Sequence, residues 1–177
     1  MKNLMLSNFF LLMMLFGSCI SNDETYRIIF ERNMKEINEY LDKNPIRSKK
    51  EVFDHQSGIR IFFTEISGSG ISAEFRDTVR VDYTGKLLNG DIFDTSIKEI
   101  AEDNEIVIPG RKYEPLEFIT GYNLVIPGFE YGIFNMEEGD KIIIIMPSHF
   151  GYGSIAQSKI PSNSPLIFEL DLVEVKK

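Results

Sequence analysis

The sequence predicts an α+β domain, an antiparallel sheet with one short helix packed against it, and three features carry that expectation. Val79-Arg80-Val81-Asp82-Tyr83 alternates apolar and polar side chains and leads to Asn89-Gly90, a strong signal for a two-residue hairpin turn. Ile142-Ile143-Ile144-Ile145 is a β-branched run bounded by Lys141 and Pro147, which suggests a central buried strand. Within the β-rich part only Pro127 to Met136 has helical spacing, with Phe129, Ile133 and Met136 on one face.

Taken in order, the chain opens on Met1-Lys2-Asn3 and a strongly apolar run from Leu4 to Phe16. That run is too short for a membrane-spanning helix, which needs about 20 residues. It fits the apolar core of a secretory signal covering residues 1–18. Gly17-Ser18-Cys19 resembles a bacterial lipobox, in which the cysteine becomes the lipidated first residue, although Phe16 replaces the usual aliphatic residue. The other reading is an ordinary signal peptide with a free thiol. Cys19 is the single cysteine, so no intramolecular disulfide can form. No aspartate directly follows it, which by the same resemblance implies the outer membrane.

Residues 19–50 read as a tether with a short helix. Phe30, Met34, Ile37 and Leu41 recur at helical spacing over residues 25–43, and Asn44-Pro45 stops the helix. It is either a docking or dimerisation helix, or a spacer packed on its own domain. Its length favours the spacer and a monomer. Residues 47–51 read as a charged link, and residues 51–177 form the main domain. Strands are expected at Gly58 to Ile66, Phe75 to Tyr83, Ile142 to Ile145 and Phe168 to Leu172, with a turn at Gly68-Ser69-Gly70. Ile97 to Glu114 reads as a long irregular stretch that ends in Pro109-Gly110-Arg111-Lys112.

Several chemistries are excluded. A net charge of -8 opposes non-specific nucleic-acid binding, which needs a basic face. Gly68-Ser69-Gly70-Ile71-Ser72-Ala73 has the letters of a dinucleotide motif, but a strand is expected after it where the motif requires a helix. His55 and His149 stand far apart with no cysteine partners, and the acidic residues from Glu102 to Glu105 lack calcium-loop spacing. No nucleophile elbow is present. Neither a cofactor nor a metal is expected.

Three groups of residues then need one explanation. The first is Phe93-Asp94-Thr95-Ser96. The second is Pro115-Leu116-Glu117-Phe118 with Val125-Ile126-Pro127-Gly128-Phe129 and Gly139-Asp140-Lys141. The third is Gly151-Tyr152-Gly153, Ile160-Pro161 and Leu166 to Leu170. In order, spacing and residue type this set resembles the FKBP family of peptidyl-prolyl isomerases, over roughly residues 58 to 176. The resemblance implies a five- to six-stranded antiparallel sheet curled around one short helix, preceded here by the N-terminal helix, with a pocket between helix and sheet. Tyr83, Phe93, Asp94, Ile126, Tyr152 and Phe168 match the positions that carry catalysis. Leu116, Phe118, Val125, Phe129 and Ile160 match substrate-binding positions, Phe129 standing at the pocket floor where many relatives have Trp and Leu116 where the best-studied relatives have Phe. Residues 154–159 depart from the usual loop over the pocket. Residues 97–114 exceed the usual connection, which lies beside the pocket in the family fold.

The implied activity is cis-trans isomerisation of X-Pro bonds in exported proteins. An apolar pocket suits it, because the twisted amide is less polar than the planar one. The Ile126 N–H and the Tyr152 hydroxyl are the expected donors to substrate carbonyls, with Asp94 positioning rather than acting as an acid or base. The expected partners are proline-containing segments of exported proteins and, through Cys19, a membrane. The expected location is the cell envelope, at the outer membrane facing the periplasm. Signal, lipobox-like end and domain together also resemble lipoprotein isomerases associated with gliding motility. The alternative is a binding module or chaperone of the same fold with little turnover.

Overall fold

The computed structural model describes residues 22–177. The signal segment and Cys19 lie outside the described residues.

Among the described residues seven strands form one antiparallel sheet. They are β1 (Lys50–Phe53), β2 (Arg60–Glu65), β3 (Thr78–Leu87), β4 (Ile92–Thr95), β5 (Leu116–Ile119), β6 (Lys141–Met146) and β7 (Leu166–Lys176). Their order is β1-β2-β6-β7-β3-β4, and β5 also pairs with β3. The helices are α1 (Asn22–Lys43), α2 (Lys98–Asp103) and α3 (Pro127–Ile133), with a 3-10 turn at Ser148–Phe150. The fold class is the one expected, and the strand count rises to seven. β1 occupies part of what reads as a charged link, because its first two residues are charged and exposed and its apolar residues, Val52 and Phe53, follow only at its end.

Strand alternation divides the apolar side chains between two faces. Ile61, Phe63, Val79, Val81, Ile142, Ile144, Phe168 and Leu170 join α3 residues Phe129 and Ile133 in the main core. Phe62, Ile145 and Ile167 point the other way and pack with Ile37 of α1. The four consecutive isoleucines of β6 are thereby explained: the strand is internal, and helices cover it on both sides.

α1 packs on its own domain. Ile37 is wholly buried. Gly58 lets the helix approach: its φ is +74°, and a Cβ there would lie 2.5 Å from Met34 Sδ and 3.0 Å from the Phe30 ring. Two further stretches differ from the sequence reading. Phe75 to Asp77 is a turn, with Arg76 at φ 76°, and the strand begins only at Thr78. Asp77 closes that turn by accepting the Glu74 N–H at 2.7 Å. The stretch 97–114 contains the short helix α2 with Ala101 buried, so Pro127 to Met136 is not the one helix of the β-rich part.

If α1 is integral to the fold, Ile37→Ala should destabilise the protein by about 3 kcal/mol, since it opens a cavity at a fully buried site. Urea unfolding followed by circular dichroism measures this. A midpoint equal to wild type would mean that α1 does not hold the sheet's second face.

Candidate active site

A cleft of about 590 Å³ opens between α3 and the front of the sheet. Its walls come from distant parts of the chain. β3 supplies Tyr83, β4 Phe93 and Asp94, β5 Leu116, the segment leading into α3 Val125 and Ile126, α3 Phe129, the 148–163 loop Tyr152, and β7 Phe168. Nine of the eleven expected pocket residues meet there. Phe118 and Ile160 do not line the cleft: both are buried in the core. Phe118 faces inward from β5 and supports the floor, its ring centroid 6.1 Å from that of Phe129. Asn123, Leu124 and Pro127 line the cleft as well.

The floor is an edge-to-face aromatic cluster. Phe129 meets Phe168 at 5.4 Å and Tyr83 at 5.8 Å, each with an interplanar angle of 83°, and Phe93 meets Phe168 at 5.6 Å. Such contacts add about 0.5–1.5 kcal/mol per pair beyond the area they bury. Gly85 makes room for them, because a Cβ there would lie 2.5 Å from the Phe93 ring and 2.8 Å from that of Phe168.

One polar network stands at the wall. The Tyr83 hydroxyl donates to Asp94 Oδ2 at 2.6 Å. Arg111 donates from Nη1 to Asp94 Oδ1 at 2.5 Å and from Nη2 to the Tyr83 oxygen at 2.9 Å. The backbone N–H of Thr95 also donates to Asp94 Oδ1, at 2.9 Å. Asp94 is thus committed to three donor groups, as suits a positioning group. Arg111 was not among the expected site residues. It lies 17 positions from Asp94 within the 97–114 stretch, and no local pattern links the two.

The other polar groups are less committed. Tyr152 is half-buried, and its hydroxyl has no hydrogen-bond partner among the described residues. Burial, and then the Asp94 charge, push its ionisation up, so the hydroxyl stays a donor at neutral pH. Ile126 is the N-cap of α3, with extended backbone (φ -62°, ψ 147°). Its carbonyl accepts from the Phe129 and Glu130 N–H groups, while its own N–H has no partner among the described residues. Glu130 holds the preceding loop by accepting the Gly121 N–H at 2.6 Å.

Part of the 97–114 stretch faces elsewhere. Ile97 and Ile100 line a second cleft, of about 370 Å³, with Asp82, Thr84, Ile143 and Glu169 from the back of the sheet. Arg111 is the part of the stretch that reaches the front cleft. Among the described residues no cluster of metal-ligating side chains occurs.

The network makes a prediction about pH. Burial, then the Asp94 carboxylate, raise the ionisation of Tyr83 well above its usual value of about 10, while Arg111 opposes the rise. The folded protein holds this proton more tightly than the unfolded chain. The associated stability is complete below pH about 10 and is lost as the pH rises from there toward the folded value. In Asp94→Asn the Tyr83 ionisation should move down, and in Arg111→Leu up, read by NMR titration of ¹³C-labelled tyrosine. An identical Tyr83 titration in Asp94→Asn would show that the carboxylate does not act on it.

Comparison with known proteins assigns the architecture. The chain is 43% identical over 77 residues to a short-type peptidyl-prolyl cis-trans isomerase of Methanocaldococcus jannaschii, covering 44% of this chain and 48% of that protein. It is 34% identical over 146 residues to the FKBP-type isomerase FkpA of Aeromonas hydrophila, covering 82% of this chain and 47% of that one. The crystal structure of FkpA from Escherichia coli superimposes with a TM-score of 0.61 at 28% identity, over 87% of this chain and 64% of that chain. The chain thus spans about half the length of these two curated relatives. The family model for FKBP-type peptidyl-prolyl cis-trans isomerases matches residues 70–173, and the chain belongs to that family.

Proposed function

We propose that this protein is an active peptidyl-prolyl isomerase, and that the front cleft holds the X-Pro bond. The observation that carries the reading is the composition of the cleft: an aromatic floor, and a Tyr152 hydroxyl and an Ile126 N–H that have no partner among the described residues. Amide resonance holds the X-Pro bond planar with a barrier to rotation of about 18–20 kcal/mol. Twisting removes the resonance and with it part of the charge separation that water stabilises. A site that replaces water by Phe129, Phe168 and Phe93 favours the twisted form over the planar one. No bond is made or broken, so no nucleophile is required. The Ile126 N–H and the Tyr152 hydroxyl hold the carbonyls that flank the proline, and the Tyr83–Asp94–Arg111 network keeps the wall in place.

The substrates in this reading are proline-containing segments of exported proteins, because residues 1–18 resemble a secretory signal and Cys19 follows them. Lipidation at Cys19 would hold the domain in the cell envelope, at the outer membrane facing the periplasm. A role in gliding motility is the corresponding cellular assignment, supported by resemblance in sequence organisation alone.

Exchange of an X-Pro peptide, followed by NMR, tests the activity. Wild type should accelerate exchange, and Tyr152→Phe should lower kcat/KM about tenfold, the effect of losing one hydrogen bond to the reacting amide. Peptide binding without acceleration would leave the protein a binding module of the same fold. The anchor is tested separately, by metabolic labelling with a fatty acid that should be incorporated into wild type and not into Cys19→Ala.

A further inference from the structure

α1 reaches the candidate active site through one buried side chain. Asn33 is wholly buried. Its Oδ1 accepts the backbone N–H of Ser148 at 2.8 Å, and its Nδ2 donates to the backbone carbonyl of Asn163 at 3.1 Å. These partners fix the amide's orientation, because an N–H needs the oxygen and a carbonyl needs the NH₂. Ser148 and Asn163 are the two ends of the loop that carries Tyr152. The ends also join each other: the Gly153 N–H donates to the Ser148 carbonyl at 2.8 Å, and the Asn163 N–H donates to the Gly153 carbonyl at 2.7 Å. Tyr152 sits next to Gly153, inside this ring of hydrogen bonds. Between it and Ile160 the loop is exposed from Ser154 to Lys159. The Tyr152 side chain packs partly against the main core, and its backbone is tied at the base of the loop, where Asn33 is.

We propose that Asn33 is a positioning residue for Tyr152, and that α1 thereby belongs to the catalytic apparatus as well as to the fold. The proposal rests on the reading of Tyr152 as the donor to substrate. The free energy needed to orient its hydroxyl is met in the folded protein, before substrate arrives, by an amide that stands 115 positions before Ser148 in the chain. Truncating Asn33 leaves the Ser148 N–H buried with no acceptor. Arg32 still donates to the Asn163 carbonyl, at 3.0 Å, so one end of the loop keeps a tie to α1 while the other is released. Asn33→Asp is the finer variant: it keeps an acceptor for Ser148 and places a second oxygen against the Asn163 carbonyl.

The test is a double-mutant cycle on the full chain. Asn33→Ala should lower kcat/KM for an X-Pro peptide about fivefold to tenfold, with the loss mainly in kcat. Asn33→Asp should fall between Ala and wild type. In the Tyr152→Phe background Asn33→Ala should cost nothing further, because the hydroxyl it positions is gone. An equal loss in both backgrounds would mark a general effect on folding and overturn the proposal. A second readout is independent of turnover. In protein carrying ¹³C-labelled tyrosine, the Tyr152 ring signal should shift or broaden in Asn33→Ala, while that of Tyr83 stays in place. If wild type gives no acceleration, the isomerase reading falls, yet the ring signal still reports whether Asn33 positions Tyr152. An unchanged Tyr152 signal in Asn33→Ala overturns the proposal, whatever the wild-type rate.

Discussion

Ten antiparallel residue pairs join β3 to β7 and set Tyr83 opposite Leu170 and Gly85 opposite Phe168. This register brings the aromatic wall together. Phe168 turns inward toward α3, Gly85 leaves space for its ring, and Phe93 enters over the same glycine from β4. A slip of one residue would exchange the faces of β7 and send Phe168 to the side covered by α1. The register is held on both sides of β7, since β6 pairs with it from Lys141↔Asp171 to Met146↔Leu166. The aromatic part of the cleft is therefore a consequence of strand pairing.

A charged pair beside an apolar cleft is costly unless its hydrogen bonds are complete. Tyr83, Asp94 and Arg111 meet that condition among themselves. The hydroxyl gives one bond and receives one, and both carboxylate oxygens are occupied. In the proposed function such closure would keep the wall from competing for a substrate's carbonyls. The groups left open, the Ile126 N–H and the Tyr152 hydroxyl, lie on segments outside the sheet. Division of labour follows from the topology: the strands hold the apolar surface and the closed network, and the connecting segments carry the open donors.

The sequence announces those parts of the protein whose side chains follow a local period. β3, β6 and β7 are legible because Val79, Val81 and Tyr83, the Ile142–Ile145 run, and Phe168, Leu170 and Leu172 follow strand patterns. α1 is legible because Phe30, Met34, Ile37 and Leu41 share one helical face. The failures have physical causes. α2 spans six residues and buries Ala101 fully, so it shows almost no apolar face. Phe75 continues an alternation that Arg76, with its positive φ, interrupts. Phe118 and Ile160 have the residue types of a pocket wall, but burial in the core satisfies the same types equally well. Arg111 could not be read, because its partner Asp94 is set by the return of a long connection, and Asn33 sits as one polar residue in an amphipathic helix.

Isomerisation of a prolyl bond asks for less chemistry than most catalysed reactions and for more placement. No proton or electron pair has to move, so under the proposed function what the protein would supply is an apolar surface and a few donors at fixed positions. The surface comes with the sheet. The proposed donors do not, since a loop with an exposed tip left untied would spread Tyr152 over many backbone states, at an entropic cost on each binding event the proposed function requires. The 148–163 loop meets this by closing its base with backbone hydrogen bonds and fastening that base to α1. The helix that covers the back of the sheet thereby reaches round its end to the front. In this fold the second face is part of how the first is kept ready.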